Sequence, residues 1–223
     1  MPTSLRACNY GNSDYDVRHV ISANFVINPE FHVSGMFAKQ VADGWHLAGK
    51  VFWRAGLPFS VTDGNWTGAL PNGAETIMAQ PIAGVAGQTS CGRGNATGTQ
   101  NEAVPGCLNT AAFVDSGADS FAGYTAFSNQ PRNQYRGPHY IDMDMSLFKN
   151  FSVGERLKFG LGIQAFNVFN HPNFYLPNSA LAAGDTTFGQ ISTMTPTPTS
   201  PYGAFFGFDS SPRVVQLSLK LDF

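Results

Sequence analysis

The amino-acid sequence predicts an all-β chain of antiparallel strands, and three observations support this fold class. Five segments alternate apolar and polar residues with a period of two, which is typical of strands with one apolar and one wet face. Charged residues make up only 13% of the chain, about half the usual share in soluble globular proteins, whereas Gly (24) and Phe (19) are abundant. The segments between the strands alternate between short and very long.

The predicted strands lie at about residues 17–27, 45–54, 141–147, 157–167 and 215–223. Alternate side chains of each strand point to one side and form its apolar face. These faces consist of Ile21, Ala23, Phe25 and Ile27; Trp45, Leu47, Gly49, Val51 and Trp53; Ile141, Met143, Met145 and Leu147; Leu157, Phe159, Leu161, Ile163 and Ala165; and Val215, Leu217, Leu219, Leu221 and Phe223.

The connections between these strands are of two kinds. Residues 150–156 form a short connection with a Gly available for a turn, which predicts a hairpin, and residues 28–44 are expected to hold a short irregular or helical turn. The segments 56–139 and 168–213 are predicted to be long loops, and a compact soluble domain rarely carries such a loop without structure of its own. Long loops at one end and short turns at the other are typical of transmembrane β-barrels, whose long loops are extracellular.

We therefore expect an antiparallel transmembrane β-barrel segment, with the apolar faces toward lipid and the wet faces toward the lumen. Trp45 and Trp53 bracket one apolar face and are interpreted as interfacial aromatics; two tryptophans of a protein core are the alternative. Eight residues at ~3.3 Å rise and ~40° tilt span roughly 20 Å, near the height of the apolar band. The charged residues assigned to the strands all fall on the other faces: Lys50, Arg54, Asp142, Asp144, Lys158, Lys220 and Asp222.

The remaining motifs predict little chemistry. Cys91 and Cys107 lie in a Gly-rich and Asn-rich stretch, which favours a loop disulfide in an oxidising compartment; two free thiols are the alternative. There is no C-x-x-C pair for zinc, no phosphate-binding loop and no G-x-S-x-G elbow. We expect no enzymatic activity, no metal and no cofactor. A net charge of −2 gives no electrostatic case for nucleic-acid binding.

Several segments together resemble the barrels of TonB-dependent outer-membrane receptors, in particular the Oar-like group with a carboxypeptidase-regulatory-like domain. The matching segments are residues 15–20, 44–49, 55–61, 133–138, 141–144, 147–151, 155–156, 165–174 and 216–223. The resemblance implies a barrel of about 22 strands with an N-terminal plug and a short box that engages TonB. Five strands cannot close such a barrel, so residues 1–223 are expected to be its C-terminal part, without the plug. The final strand, ending on Phe223, resembles the signal that barrel-assembly machinery reads.

The resemblance implies active uptake of a scarce solute across the cell outer membrane of a Gram-negative-type bacterium. The implied partners are outer-membrane lipid, the barrel-assembly machinery, an unknown small solute, and TonB through an N-terminal region of the parent protein. Residues 1–10 lack the apolar core of a signal peptide, so the true N-terminus is expected to lie upstream. Two alternatives stay open: a truncated, transport-inactive barrel fragment, and a small secreted β-sandwich binding module stapled by Cys91–Cys107.

Overall fold

The computed structural model describes residues 10–64, 78–89, 107–114, 128, 130–153, 157–195 and 213–222. Its elements are β1 (Val20–Ile27), α1 (Met36–Ala42), β2 (Trp45–Arg54), β3 (Pro58–Phe59), β4 (Thr62–Asp63), β5 (Gln80–Pro81), a 3-10 turn (Thr110–Ala112), β6 (Phe113–Val114), β7 (Tyr135–Arg136), β8 (Tyr140–Val153), β9 (Leu157–Phe166), β10 (Ala180–Leu181) and β11 (Val214–Asp222). Within the described part of the chain, no helix has the length and apolar character needed to cross a bilayer.

The chain divides into two compact units. The sheet unit comprises His19–Arg54, Tyr140–Pro172 and Ser210–Phe223, and the loop unit comprises Met1–Arg18, Ala55–His139 and Asn173–Asp209. The five long strands all belong to the sheet unit, and the short two-residue strands belong to the loop unit.

The sheet unit is a single antiparallel sheet with the strand order β1-β2-β8-β9-β11. Each long strand pairs with the next long strand along the chain, so the sheet is an up-and-down meander. This arrangement confirms the predicted all-β fold class and the five antiparallel strands.

Among the described residues, the strand boundaries differ from the predicted ones by more than one residue at two places. The first strand begins at Val20 rather than near Val17, because the Val17 N–H bonds to Tyr15 O at 2.8 Å within a turn. β8 extends to Val153, well beyond residue 147, because its pairing with β9 continues to the end of the strand. The helical turn expected within 28–44 is present as α1.

Cross-strand pairing places the predicted apolar residues next to one another on one face of the sheet. Two of these rows consist of Phe25, Gly49, Met145, Ala165 and Val215, and of Ile27, Leu47, Leu147, Ile163 and Leu217. Leu217 is 78% exposed and Leu161 is 48% exposed. A contiguous exposed apolar surface of this kind marks a protein or membrane interface, whereas the inner face of a soluble sandwich would be covered.

The loop unit has its own hydrophobic core. Its short strands pair as β3 with β7, β4 with β10 and β5 with β6, and the β4–β10 pair joins the two long segments in parallel. The core residues are Phe59, Val61, Ala79, Leu108, Ala112, Phe113, Tyr135, Leu181 and Phe188. The expectation that segment 56–139 lacks structure of its own is therefore wrong for its described residues. Two-residue strands are too short to give a periodic signal, which is why the sequence pattern missed them.

Buried polar side chains complete the hydrogen bonding of the loop unit where regular pairing ends. Gln130 is fully buried, and its Nε2 donates to Val61 O at 3.0 Å. Ser128 Oγ donates to Ala79 O at 2.7 Å and accepts from the Gln130 N–H at 3.0 Å. The Gln130 bond adds a second donor to Val61 O, which also accepts from the Ala79 N–H at 3.0 Å. The Ser128 bond gives the Ala79 carbonyl a donor in the core, where an unpaired carbonyl would be costly.

Candidate functional site: the membrane-facing sheet and the loop unit

The terminal strand β11 presents the predicted apolar side chains on one face. Val215, Leu217, Leu219 and Leu221 are all exposed and pair with Ala165, Ile163, Leu161 and Phe159 of β9. Phe223 lies outside the described residues. Recognition of this strand by assembly machinery stays a prediction.

Trp45 and Trp53 lie on the apolar face at opposite ends of β2. Trp45 pairs with Lys149 of β8, and Trp53 pairs with Ile141 of the same strand. The Trp45 indole Nε1 donates to Val41 O at 3.0 Å, so the polar atom of this side chain is satisfied. Aromatic residues with one apolar side and one polar atom are enriched at membrane–water boundaries. The interfacial role of both residues stays a prediction.

Lys149 is a functional residue that the sequence pattern did not single out. Its pairing places it on the apolar face, in the row of Trp45, Leu161 and Leu219. Only 5% of the residue is exposed. Its Nζ donates to Val41 O at 3.1 Å and to Asp43 O. Extending the alternation of residues 141–147 by one more step would have placed this lysine on the apolar face.

Two aromatic rings surround the Lys149 ammonium group on the same face. Nζ lies 4.9 Å from the centroid of Trp45 and 5.3 Å from that of Phe151. Cation–π contacts of this kind become stronger when water is excluded. The charge is thus held by carbonyl oxygens and ring faces and does not point into lipid.

The opposite face of the sheet carries the charges predicted for it. Lys50 pairs across the strands with Asp144, and Asp142 pairs with Phe52. Opposite charges directly across an antiparallel pair contribute a few tenths of a kcal/mol to about 1 kcal/mol. The Arg54 guanidinium lies 5.6 Å from the ring centroid of Tyr140 on this face.

The N-terminal segment of the loop unit is held by a polar cluster, which we call the clasp (residues 12–16 with 132–136). Asn12 Nδ2 donates to Asn133 O at 3.1 Å, and Asn133 Nδ2 returns a bond to Asn12 O at 2.8 Å. Arg132 pairs with Asp14 at 2.5 Å, and Arg136 pairs with Asp16. The Arg132–Asp14 pair is exposed and contributes little on its own, whereas the Arg136–Asp16 pair is partly buried. The reciprocal amide bonds and the Arg136–Asp16 contact therefore carry much of the cohesion. The clasp includes part of segment 133–138, which was singled out by resemblance alone.

Cys107 is disulfide-bonded and 1% exposed, and it packs with Ile191 and Phe174. The two other cysteines, Cys8 and Cys91, lie outside the described residues. The Cys91–Cys107 pairing therefore stays a prediction.

Among the described residues of the loop unit, Tyr135 and Asp185 have shifted pKa values. Burial raises the pKa of the Tyr135 phenol, whose ring packs against Phe59 and Phe113. Hydrogen bonds from the Thr187 hydroxyl and N–H, both 2.7 Å from Asp185 Oδ1, lower the pKa of Asp185. Among the described residues, His, Cys, Asp and Glu form no group of three or more that could hold a metal ion.

Comparison with known proteins gives one family. A family model described as an outer membrane beta barrel domain matches residues 2–216. No curated protein and no solved structure matches the chain. The matched residues include almost all of the sheet, and the apolar face is exposed as a membrane-spanning sheet requires. The chain belongs to the outer membrane beta barrel domain family, and its all-β sheet is part of a barrel located in the bacterial outer membrane.

Proposed function

We propose that this chain is part of a TonB-dependent outer-membrane transporter that actively takes up a scarce solute. The observation that carries the proposal is that the two long segments between strands fold together as one unit. In outer-membrane barrels, the longer loops face the outside and are the first part of the protein that a solute meets. A loop unit with its own core suits recognition of a ligand rather than simple closure of a pore.

The loop unit is suited to binding because much of it is already ordered. Its core, the clasp and the disulfide at Cys107 fix the backbone before any ligand arrives. Preorganised surfaces lose less conformational entropy on binding and therefore bind more tightly for a given contact area. We propose that the solute is bound and transported without a chemical step, with TonB supplying the energy.

Growth of the source bacterium on limiting nutrients tests this proposal. Strains with and without the gene, each with and without TonB, are grown with a ferric siderophore, an oligosaccharide or a peptide as the limiting nutrient. We expect one nutrient class to support growth only when both the gene and TonB are present. Growth that is independent of the gene and of TonB on all three classes would contradict uptake by this protein.

A transport-inactive barrel piece is the second candidate. In the described residues β1 and β11 each pair with one strand only, so both edges of the sheet are open. Heat-modifiable gel migration and membrane fractionation separate the two candidates when combined with the growth assay. A heat-modifiable membrane protein that supports no uptake would favour the inactive piece, and a soluble periplasmic protein would contradict both.

A further inference from the structure

We propose that residues 28–44, which include α1, form an interfacial anchor that lies in the headgroup layer of the membrane at the short-turn end of the sheet. The occupant of its exposed apolar side would be phospholipid. This inference rests on the membrane location of the sheet and not on solute uptake.

The position of the anchor follows from two side chains of the apolar face. Trp45 and Lys149 are paired residues on that face, and both bond to carbonyls at the end of α1 or just after it. Val41 O accepts from both side chains, and Asp43 O accepts from Lys149. The C-terminal end of α1 therefore lies on the membrane-facing side of the sheet, level with Trp45.

The chemistry of this contact suits the boundary between lipid and water. A charge on the lipid face is tolerated near the interface but opposed at the bilayer midplane. Free carbonyls at a helix C-terminus carry partial negative charge and favour a cation. Lys149 thus binds the helix end, and the helix end shields Lys149 from hydrocarbon.

Three apolar side chains of the anchor are exposed. Met36 is 87% exposed, Phe37 is 83% exposed and Val41 is 55% exposed. Phe37 and Val41 are four residues apart and share one side of the helix, whereas Lys39 lies on the opposite side. An apolar side opposed to a basic one is typical of helices that lie in the plane of the interface. The end of α1 that carries Val41 adjoins the membrane-facing surface of the sheet through Trp45 and Lys149.

Further hydrogen bonds hold the anchor to itself and to the sheet. Gln40 Nε2 donates to Ser152 O, and the Phe31 N–H donates to Asp43 Oδ1 at 3.1 Å. A ring nitrogen of His46 lies 2.8 Å from Asn28 Oδ1. These bonds hold the anchor at its first residue, at its helix and at its end, and one of them joins it to the end of β8. The exposed apolar residues are therefore attached to a fixed backbone.

Depth-dependent fluorescence quenching tests the anchor on the whole chain. An environment-sensitive fluorescent amino acid is encoded at position 37, at position 39 as the matched control, or at position 217 as a reference on the sheet. Each protein is reconstituted in vesicles of phosphatidylethanolamine and phosphatidylglycerol and purified by flotation. We expect position 37 to be quenched strongly by a phospholipid nitroxide near the headgroup and at least threefold less than position 39 by aqueous iodide. Position 217 is expected to respond to a deep nitroxide.

Two outcomes would overturn the proposal. Equal iodide quenching at positions 37 and 39 would mean that the helix lies in water. Protection of position 37 from both iodide and lipid nitroxides would mean that protein covers it.

A second variant tests the role of Lys149 without altering the helix. Lys149→Met is expected to raise iodide quenching at position 37 at least twofold, because α1 loses its charged contact. Lys158→Met, on the polar face of the same hairpin, is expected to leave it unchanged. An unchanged signal in Lys149→Met would show that the lysine does not hold the anchor.

Discussion

At the residue scale, single side chains decide which environment each face of the protein tolerates. Lys149 is the clearest case, because it lies on a face that otherwise meets lipid and is stabilised by two carbonyls and two aromatic rings. Tyr135 of the loop unit differs from Lys149 because burial favours its neutral form. Its phenol ring packs against the ring of Phe113.

Tyr135 predicts a loss of stability in alkaline solution. Burial raises its pKa above the usual 10.0, so the folded state keeps the phenol proton where the unfolded state releases it. The contribution of the Tyr135 phenol to the free energy of unfolding is fully present below pH 10. This contribution falls as the pH rises above that value toward the folded-state pKa. Tyr135→Phe is expected to remove this fall, as measured by chemical denaturation followed by near-UV circular dichroism between pH 8.5 and 11.5.

Tyr10→Phe provides the control, because Tyr10 is 84% exposed. This variant should keep the alkaline dependence of the unchanged protein. The same alkaline fall in Tyr135→Phe would show that another group is responsible.

Gly162 predicts a steric effect within the sheet. A Cβ at this position would overlap the ring of Phe148 and the hydroxyl of Ser218 on the two neighbouring strands. Gly162→Ala is expected to destabilise the protein by about 1–3 kcal/mol, the usual range for overpacking. The measurement is the urea midpoint of unfolding in detergent. Adding Phe148→Leu should restore part of the loss, and the absence of any rescue would argue against this contact as the cause.

At the element scale, each strand of the sheet has one face for lipid and one for water. The alternation in the sequence predicted these faces, and the pairing of the strands places them together. The sequence could not predict the loop unit to the same degree. Leu181 and Phe59 share a core although they are far apart in the chain, and no local pattern encodes that contact. Lys149 was missed because the predicted alternation stopped at Leu147, whereas the strand continues to Val153.

The lipid face of β11 predicts an asymmetric response to charge. Leu217→Arg is expected to lower the membrane-inserted, heat-modifiable fraction sharply, because a lipid-facing arginine costs about 2–4 kcal/mol near the midplane. Gln216→Arg, one residue away on the polar face, should insert almost as well as the unchanged protein. Equal losses in both variants would contradict the assignment of the two faces.

The disulfide of the loop unit predicts that two cysteines act as a pair. Cys107→Ser and Cys91→Ser are each expected to cost about 2–4 kcal/mol of loop-unit stability, and each should release one reactive thiol. Limited proteolysis measures the stability, and alkylation followed by mass spectrometry counts the thiols. Cys8→Ser is the control. If Cys8→Ser instead behaves like Cys107→Ser, the bond joins Cys8 and Cys107.

At the scale of the whole molecule, a regular sheet made of sequential neighbours is combined with an irregular unit made of distant segments. Family membership and the exposed apolar face place the sheet in the outer membrane. Much of the loop unit comes from segments between the long strands. Ala55–His139, for example, follows β2 and precedes β8 in the sequence. The loop segments can therefore vary in sequence without altering the pairing of the long strands.

The pairing of β3 with β7 has a consequence for the order of folding. It joins Phe59 to Tyr135, and the Gly137 N–H adds a bond to Leu57 O at 2.8 Å. The β3–β7 pair thus joins the two ends of a segment of roughly eighty residues. In the sequence, this segment begins after Arg54 and ends before Tyr140, which are themselves paired. If that tie forms first, the entropic cost of closing the loop between β2 and β8 falls by about 2 kcal/mol. Early formation of the β3–β7 pair would then favour the later pairing of β2 with β8, because a shorter stretch of chain remains to be closed.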